Sequence, residues 1–289
     1  MLKITVNTIL ALLMLFAIVS CGQSESHSTS YLSQEPPGTE PQIFAPGIVS
    51  DPNQFEWSGS FSPDGKEYYF SRQYGDAPSK ILFTKLIDGK WTTPEPLMAT
   101  AAYGAGEVHL TFDNKRLYFM WQHPYPPVQT GLPPYYFVER VPNRWSEPKY
   151  AGQGMFLSSS HDGTIYTSDM SSWNINRQTH LAKVTVEGGQ FIKYDRLDIP
   201  TYLGSQAHPC IAPDGSYILF DVDGGTHLFV CFKKADGTWE AAIDLTKHSF
   251  DPMAGGAYIS PDGKYLFFAL NEDIWWVDIK VIENLRPKA

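Results

Sequence analysis

An all-β, five-bladed β-propeller of four-stranded antiparallel blades is the fold class that this 289-residue sequence predicts, and three observations predict it. The first is a ten-residue phrase at 61–70, Phe-Ser-Pro-Asp-Gly-Lys-Glu-Tyr-Tyr-Phe, which returns at 259–268 as Ile-Ser-Pro-Asp-Gly-Lys-Tyr-Leu-Phe-Phe. In it Pro presets the first corner of a type I turn, Asp bonds the backbone beyond, and Gly takes the positive φ that closes a hairpin. Degenerate copies lie at 110–119, 158–167 and 211–220. The second is the period. The turn residues Asp64, Asp113, Asp162, Asp214 and Asp262 stand 49, 49, 52 and 48 residues apart, the mark of like units stacked or ringed. The third is composition: 14% aromatic, with 23 Gly and 22 Pro, suits many short strands and many turns rather than long helices.

From the N-terminus, residues 1–20 carry one early cation, Lys3, and then an apolar run over 9–19 that is short for a bilayer span. That pattern reads as an export signal peptide. It ends in Ile18-Val19-Ser20-Cys21, which resembles the lipobox of bacterial lipoproteins, so Cys21 is the expected lipidated residue. Gly22 rather than Asp follows, and by the same resemblance the anchor belongs to the outer membrane, with the body periplasmic or surface-facing. Residues 21–40 have little to bury and read as a flexible tether, holding the body roughly 20 to 25 Å from the membrane.

Residues 41–289 form the expected propeller. After each turn comes a second strand (67–71, 117–121, 164–168, 217–221, 265–270) and, past a variable loop, a third (80–85, 135–140, 180–184, 227–232, 273–279). A fourth begins at an aromatic, Trp91, Trp145, Phe191 or Trp239, and four strands per period describe a propeller blade. The fifth unit ends without its fourth strand. Thr39-Glu40-Pro41-Gln42-Ile43-Phe44 echoes Ser146-Glu147-Pro148-Lys149-Tyr150, so residues 41–49 are expected to supply that strand and close the ring. A solenoid would instead need caps at its ends. Cys210 and Cys231 fall on the first and third strands of one unit. Neighbouring strands lie about 4.8 Å apart, so the pair exceeds the roughly 7 Å reach of a disulfide and should be two packed thiols.

The phrase Ser-Pro-Asp-Gly-Lys-x-x-x-Phe at Ser62 and Ser260, with the strand start Asp273-Ile274-Trp275, resembles the TolB-type repeat, a relative of the WD repeat. The likeness spans about residues 41–280. It implies a fold more than an activity, because such repeats occur in periplasmic interaction modules, peptidase propeller domains and oligogalacturonate lyases. The second copy has Asn114 where Gly belongs, and the third has Ser160-His161 for Ser-Pro.

A net charge of −9 offers no cationic field for phosphates, so a nucleic-acid partner is not expected. In a propeller the first strands line the central channel. Six residues before each turn Asp stand Ser58, Glu107, Phe156, His208 and Gly256; four before stand Ser60, His109, Ser158, Cys210 and Tyr258. Glu107, His109, Gln206, His208 and Tyr258 are therefore candidate ligand contacts at the axis. Two His with Glu and Gln would suit a transition metal, and TolB-type lyases hold a metal with His and Gln, but Gln206-Ala207-His208 has no second His nearby. The competing reading is a water-filled channel of solvated polar groups. A glycosidase needs two carboxylates about 5 to 9.5 Å apart; Glu56 and Glu107 are the acids on strand approaches, while Asp76, Asp169, Asp221, Asp223 and Asp251 are assigned to loops and to solvent. Asp221-Val222-Asp223-Gly224 reads as a plain turn rather than a calcium loop.

The second unit also carries Trp121-Gln122-His123-Pro124-Tyr125-Pro126-Pro127, a ring-rich loop stiffened by proline. Trp121, His123 and Tyr125 join the candidate contacts, with Tyr103, Trp173 and Tyr202 beside them, since stiff flat faces suit carbohydrate and protein ligands. No Gly-x-Ser-x-Gly elbow, His-Glu-x-x-His motif, P-loop or dinucleotide fingerprint occurs, so no cofactor is expected. The expectation is a monomeric, non-catalytic binding or assembly module for a protein or glycan, touching membrane only through its lipid. The alternative is a glycoside hydrolase or polysaccharide lyase working at the axis through Glu107, His109, Gln206 and His208.

Overall fold

A computed structural model describes residues 30–124, 126–127, 130–142, 144–200, 204–222 and 226–288; the expected export leader, Cys21, Tyr125, Tyr202 and Asp223 lie outside them. The repeated phrase makes the turns that its chemistry dictates. Ser62 Oγ donates to Asp64 Oδ1 (2.6 Å), Asp64 Oδ1 accepts the Lys66 N–H (3.1 Å), and Gly65 takes φ +68°. Ser260, Asp262, Lys264 and Gly263 repeat this. Asn114 adopts φ +58° in the glycine place, a left-handed conformation that Asn tolerates. The third turn is one residue shorter, since the Ser160 N–H reaches Thr164 O where the Ser62 N–H reaches Glu67 O.

Five antiparallel sheets follow. From the axis outwards, blade 1 runs Phe55–Phe61, Glu67–Gln73, Lys80–Ile87, then Lys90–Trp91 with Glu95–Pro96. Blade 2 runs Ala105–Leu110, Arg116–Trp121, Pro134–Val141, then Arg144–Trp145 with Lys149–Gln153. Blade 3 has Leu157–Ser159, Ile165–Asp169, His180–Glu187 and Gln190–Arg196, and blade 4 has Gln206–Ile211, Tyr217–Val222, Thr226–Phe232 and Ile243–Asp244. Blade 5 has Gly255–Ile259, Tyr265–Leu270 and Asp273–Asp278, and its outer strand is Gln42–Ile43 from the other end of the chain. Gln42 lies opposite Trp276 and Ile43 opposite Trp275, and the Phe44 N–H donates to Ile274 O (2.8 Å). The ring is thus closed by the N-terminal strand.

Packing begins earlier than position 41. Leu32 is buried, the Tyr31 ring meets Tyr265 at 4.8 Å and its hydroxyl donates to Asp262 (2.6 Å), and the Gln34 amide bonds Ile43 O and the Ala45 N–H. The Asp278 N–H donates to Gly38 O (3.0 Å). Residues 31–38 are therefore not tether but a cover over blade 5, because Tyr31 and Leu32 supply the apolar surface that the polar composition around them obscures.

One apolar cluster fills each space between neighbouring blades: around Phe44 and Trp276 between blades 5 and 1, Phe119 between 1 and 2, Phe137 between 2 and 3, Phe220 between 3 and 4, and Leu266 between 4 and 5. Cys210 and Cys231 are buried free thiols in two different clusters. At the hub the blades are clasped by polar bonds. The residue four before each turn Asp bonds the next blade at the following position. Ser60 Oγ accepts the Leu110 N–H (3.0 Å), His109 Nε2 pairs with Ser159 Oγ (2.9 Å), and Ser158 Oγ accepts the Ile211 N–H (3.0 Å). Cys210 takes the Ile259 N–H and Tyr258 Oη takes the Phe61 N–H (2.9 Å), which completes the circle.

Candidate functional site

The loops that lead into the inner strands and join second to third strands form one face of the ring, here the upper face. Just below it each inner strand of blades 1, 2, 4 and 5 is bulged, with register shifts at Glu56/Gly59, Gly106/His109, Ala207/Cys210 and Gly255/Tyr258. Four positions six before the turn Asp take positive φ: Glu107 (+54°), Phe156 (+49°), His208 (+48°) and Gly256 (+58°). Such bulges re-aim a side chain, and here they turn these residues to the mouth of the channel.

Each bulge needs an acceptor for its turned-out N–H. The Glu107 N–H donates to Ser71 Oγ (3.1 Å), the His208 N–H to Ser168 Oγ (3.1 Å) and the Gly256 N–H to Asp221 Oδ2 (3.0 Å), in each case on the second strand of the preceding blade. In blade 2 the matching second-strand residue is Met120, which faces Gly106 across the ladder as Asp221 faces Ala207. Met120 offers no oxygen. Glu107 Oε2 takes the Phe156 N–H instead (3.0 Å) and also accepts from the Tyr135 hydroxyl. The Glu107 carboxylate therefore substitutes for a missing hydroxyl in the ring.

His208 is the group at this level with a free chemical hand. Its Nδ1 bonds Asp221 Oδ2 at 2.7 Å, its ring lies 4.3 Å from that of Phe156, and its side chain keeps 12% exposure while Asp221 has none. Burial pulls the imidazole pKa down, but Asp221 and the charge of Glu107 outweigh it, so His208 holds its proton more tightly than an ordinary histidine. With Nδ1–H donated to the carboxylate, Nε2 is left for a ligand. Asp221 was expected among solvated loop acids. It stands instead inside the second strand, fully buried, and its Oδ1 has no hydrogen-bond partner among the described residues. Asp169, expected in the same class, closes its own strand and pairs with Arg196 (2.6 Å).

Two clefts flank His208. One, of about 360 Å³, lies against the stacked rings of Phe55 and Trp57 (5.0 Å) with Phe156, Met253 and Leu270. The other, of about 600 Å³, lies over blades 3 and 4 with Met155, Met170, Trp173 and Arg177. Trp121 is only 8% exposed and packs against Tyr136 (5.0 Å), so its ring is core; His123 is half-buried beside Tyr103 (5.0 Å).

The expected constellation divides. Glu107 and His208 share the upper ring, but His109 and Tyr258 belong to the hub clasp and line a separate cavity with Pro63, Pro213 and Pro261 at the hairpin end. His109 is buried, and desolvation pulls it down to about 4, which keeps it neutral. Gln206 opens its strand, with its backbone N–H and C=O both bonded to Thr179. The two histidines thus face different cavities, and among the described residues no group of three or more His, Cys, Asp or Glu is placed to hold a metal; the ligand set that the resemblance implied does not fit. Glu56, the other expected acid, is fully buried against Arg72 (2.5 Å); burial lifts its carboxyl to about 7 against the pull of that guanidinium. It anchors the closing loop, since Arg72 also donates to Val49 O (2.7 Å). Tyr135 and Asp221 are the functional-level residues that sequence reasoning missed. The positional ruler, carried seven residues past each turn Asp instead of back, reaches Asp221.

No protein-family model and no curated protein matches the chain. Solved structures do. A protein designated TolB from Agrobacterium tumefaciens superposes with a TM-score of 0.50 at 17% identity, over 76% of this chain and 72% of that one. TolB of Acinetobacter baumannii gives 0.49 at 15% identity over 76% of this chain, which spans only 53% of that protein's length. A gluconolactonase of Xanthomonas campestris gives 0.47 at 11% identity, over 84% and 94%. At such identities the likeness is one of fold. The expected TolB-type propeller architecture is what the chain has.

Proposed function

We propose that the protein is a non-catalytic binding or assembly module of the cell envelope that takes a protein or glycan on its upper face. The observation that carries this reading is the distribution of exposed apolar side chains. Among the described residues nine large hydrophobics are exposed, and seven of them, Ile48, Phe55, Tyr74, Met98, Tyr103, Ile175 and Met253, lie on the segments that build that one face. Apolar side chains gathered on one side of a soluble body favour an interaction surface. The polar residues of the channel add to this by being spent on structure: Glu107, His109 and Tyr258 each hold a backbone or side-chain group of the next blade. Lipidation at Cys21 and an outer-membrane address belong to the same proposal and rest on the lipobox-like sequence; a monomeric state is proposed with them.

The test replaces Phe55, Tyr103 and Met253 together with Ser. Capture of a ligand from solubilised envelope, and binding on a glycan array, should drop at least about tenfold with the melting temperature unchanged, since exposed positions carry binding rather than stability. The second reading, a carbohydrate-active enzyme, is favoured by one feature only, the Asp221–His208 pair at the mouth of the channel. Glycan cleavage by the wild-type protein that disappears in His208→Asn would decide for it and against a non-catalytic module.

A further inference from the structure

The cleft over blades 3 and 4 has a charge that the rest of the chain does not prepare for. The net charge is −9, yet among the described residues the walls of this cleft hold a guanidinium, an imidazole, an indole and two methionines, and no carboxylate. Arg72, Arg116, Arg140, Arg196 and Arg286 each pair with an acid. Arg177 makes no ion pair among the described residues; its guanidinium lies 5.4 Å over the Trp173 ring, at a residue in left-handed conformation (φ +61°). Across the same cleft stands His208, whose Nδ1 is fixed by Asp221. We propose that this cleft binds a small organic carboxylate with an aromatic or apolar body, the carboxylate held between Arg177 and His208 and the body laid on Trp173, Met155 and Met170.

The chemistry follows from the parts. Guanidinium and imidazolium both donate charge-assisted hydrogen bonds, and a fork from Arg matches a carboxylate. A cation stacked on an indole is held flat without losing its donors. Methionine and indole walls take an apolar body of loosely defined shape. Around His208 stand Asp221 on its own blade, Glu107 from blade 2, Glu272 across the neighbouring cleft and Arg177 from blade 3; against the pull of burial, Asp221 and Glu107 raise its pKa. The carboxylates among them favour the imidazolium, which is the form that an anionic ligand requires.

This site lies on the face that the proposed function uses, and it rests on that reading for its relevance but not for its test. Phenylacetate, phenylacetamide and inorganic phosphate are titrated into the folded protein by calorimetry or ligand-observed NMR. Phenylacetate should bind at about millimolar affinity or better and phenylacetamide about tenfold more weakly, the loss expected for one charged hydrogen-bond partner. Arg177→Met, at an exposed position, should weaken phenylacetate about tenfold without lowering the melting temperature. His208→Asn keeps a donor toward Asp221 while deleting Nε2. In wild type the affinity should fall as pH rises through the His208 pKa, above about 6.5, and in His208→Asn that dependence should vanish. Equal binding of acid and amide, phosphate binding as tight as phenylacetate, an unchanged Arg177→Met, or no phenylacetate binding overturns the proposal. Phenylacetate binding that survives the loss of envelope capture in the Phe55, Tyr103 and Met253 variant separates this cleft from the macromolecular surface.

Discussion

Glu107 shows how a single side chain reads as catalytic in sequence and structural in the fold. Three bulged N–H groups at the mouth of the channel find a Ser or Asp oxygen on the preceding blade, and the fourth, from Phe156, meets Met120 there and turns to Glu107. Leaving a buried N–H and the Tyr135 hydroxyl without this acceptor carries the cost of an unmet hydrogen bond. Glu107→Ala should therefore lower unfolding free energy by about 1 to 3 kcal/mol in urea titration. The informative comparison is the double variant with Met120→Ser. A hydroxyl at 120 restores the arrangement of the other blades, so the double variant should regain part of the loss, and Met120→Ser alone should not stabilise. Additive losses would show that Glu107 does not stand in for that oxygen. The site was legible only in part for the same reason. The inner-strand ruler placed Glu107 and His208 at one level, but sequence spacing holds no sign of a bulge, which separates positions two residues apart onto different cavities and brings Asp221 under His208.

The closing strand is short, a ladder of two residues, Gln42–Ile43, so backbone pairing cannot be its main hold. Phe44 is. It is fully buried, with the rings of Phe267, Trp276, Tyr68 and Phe61 between 5.0 and 6.0 Å away, and it belongs to the cluster that joins the last blade to the first. Phe44→Ala should destabilise by about 3 to 5 kcal/mol, the range for a fully buried Phe. Because the lost contacts join the two chain ends, hydrogen exchange should also rise along Asp273–Asp278, the partner strand, before the rest of blade 5. Protection there equal to wild type would mean that the strand is held without this ring. The architecture was legible because turn chemistry recurs at fixed period and the echo of Ser146-Glu147-Pro148 at Thr39-Glu40-Pro41 located the displaced strand. The cover formed by residues 31–38 was not, since two apolar residues among polar ones carry no periodicity to read.

At the scale of the whole ring, five hub positions clasp five blades, and the clasp has one titratable weak point. Ser60, Ser158, Cys210 and Tyr258 accept a backbone N–H of the next blade, while His109 meets Ser159 through Nε2 in a buried site. Burial holds the His109 pKa down at about 4, below the ordinary value near 6.5 that it regains on unfolding. The unfolded chain therefore binds a proton that the folded chain refuses between those values. Stability from this group is complete above about 6.5 and is lost as pH falls toward 4. The lowered aspartates act in a different window: Asp162, held at about 2 by Ser160 and Thr164, withdraws its share of stability only below the ordinary carboxylate range. His208, whose pKa is raised, works in the opposite sense and at higher pH, losing stability as pH rises. His109 thus draws unfolding free energy down from pH 6.5 to 4, while Glu56, lifted to about 7, works in the opposite sense as pH falls; His109→Gln, which keeps a polar partner for Ser159 and cannot protonate, should remove the His109 part and leave the variant less acid-sensitive than the wild type. Parallel curves for the two proteins across this window would place the acid sensitivity elsewhere than in the hub.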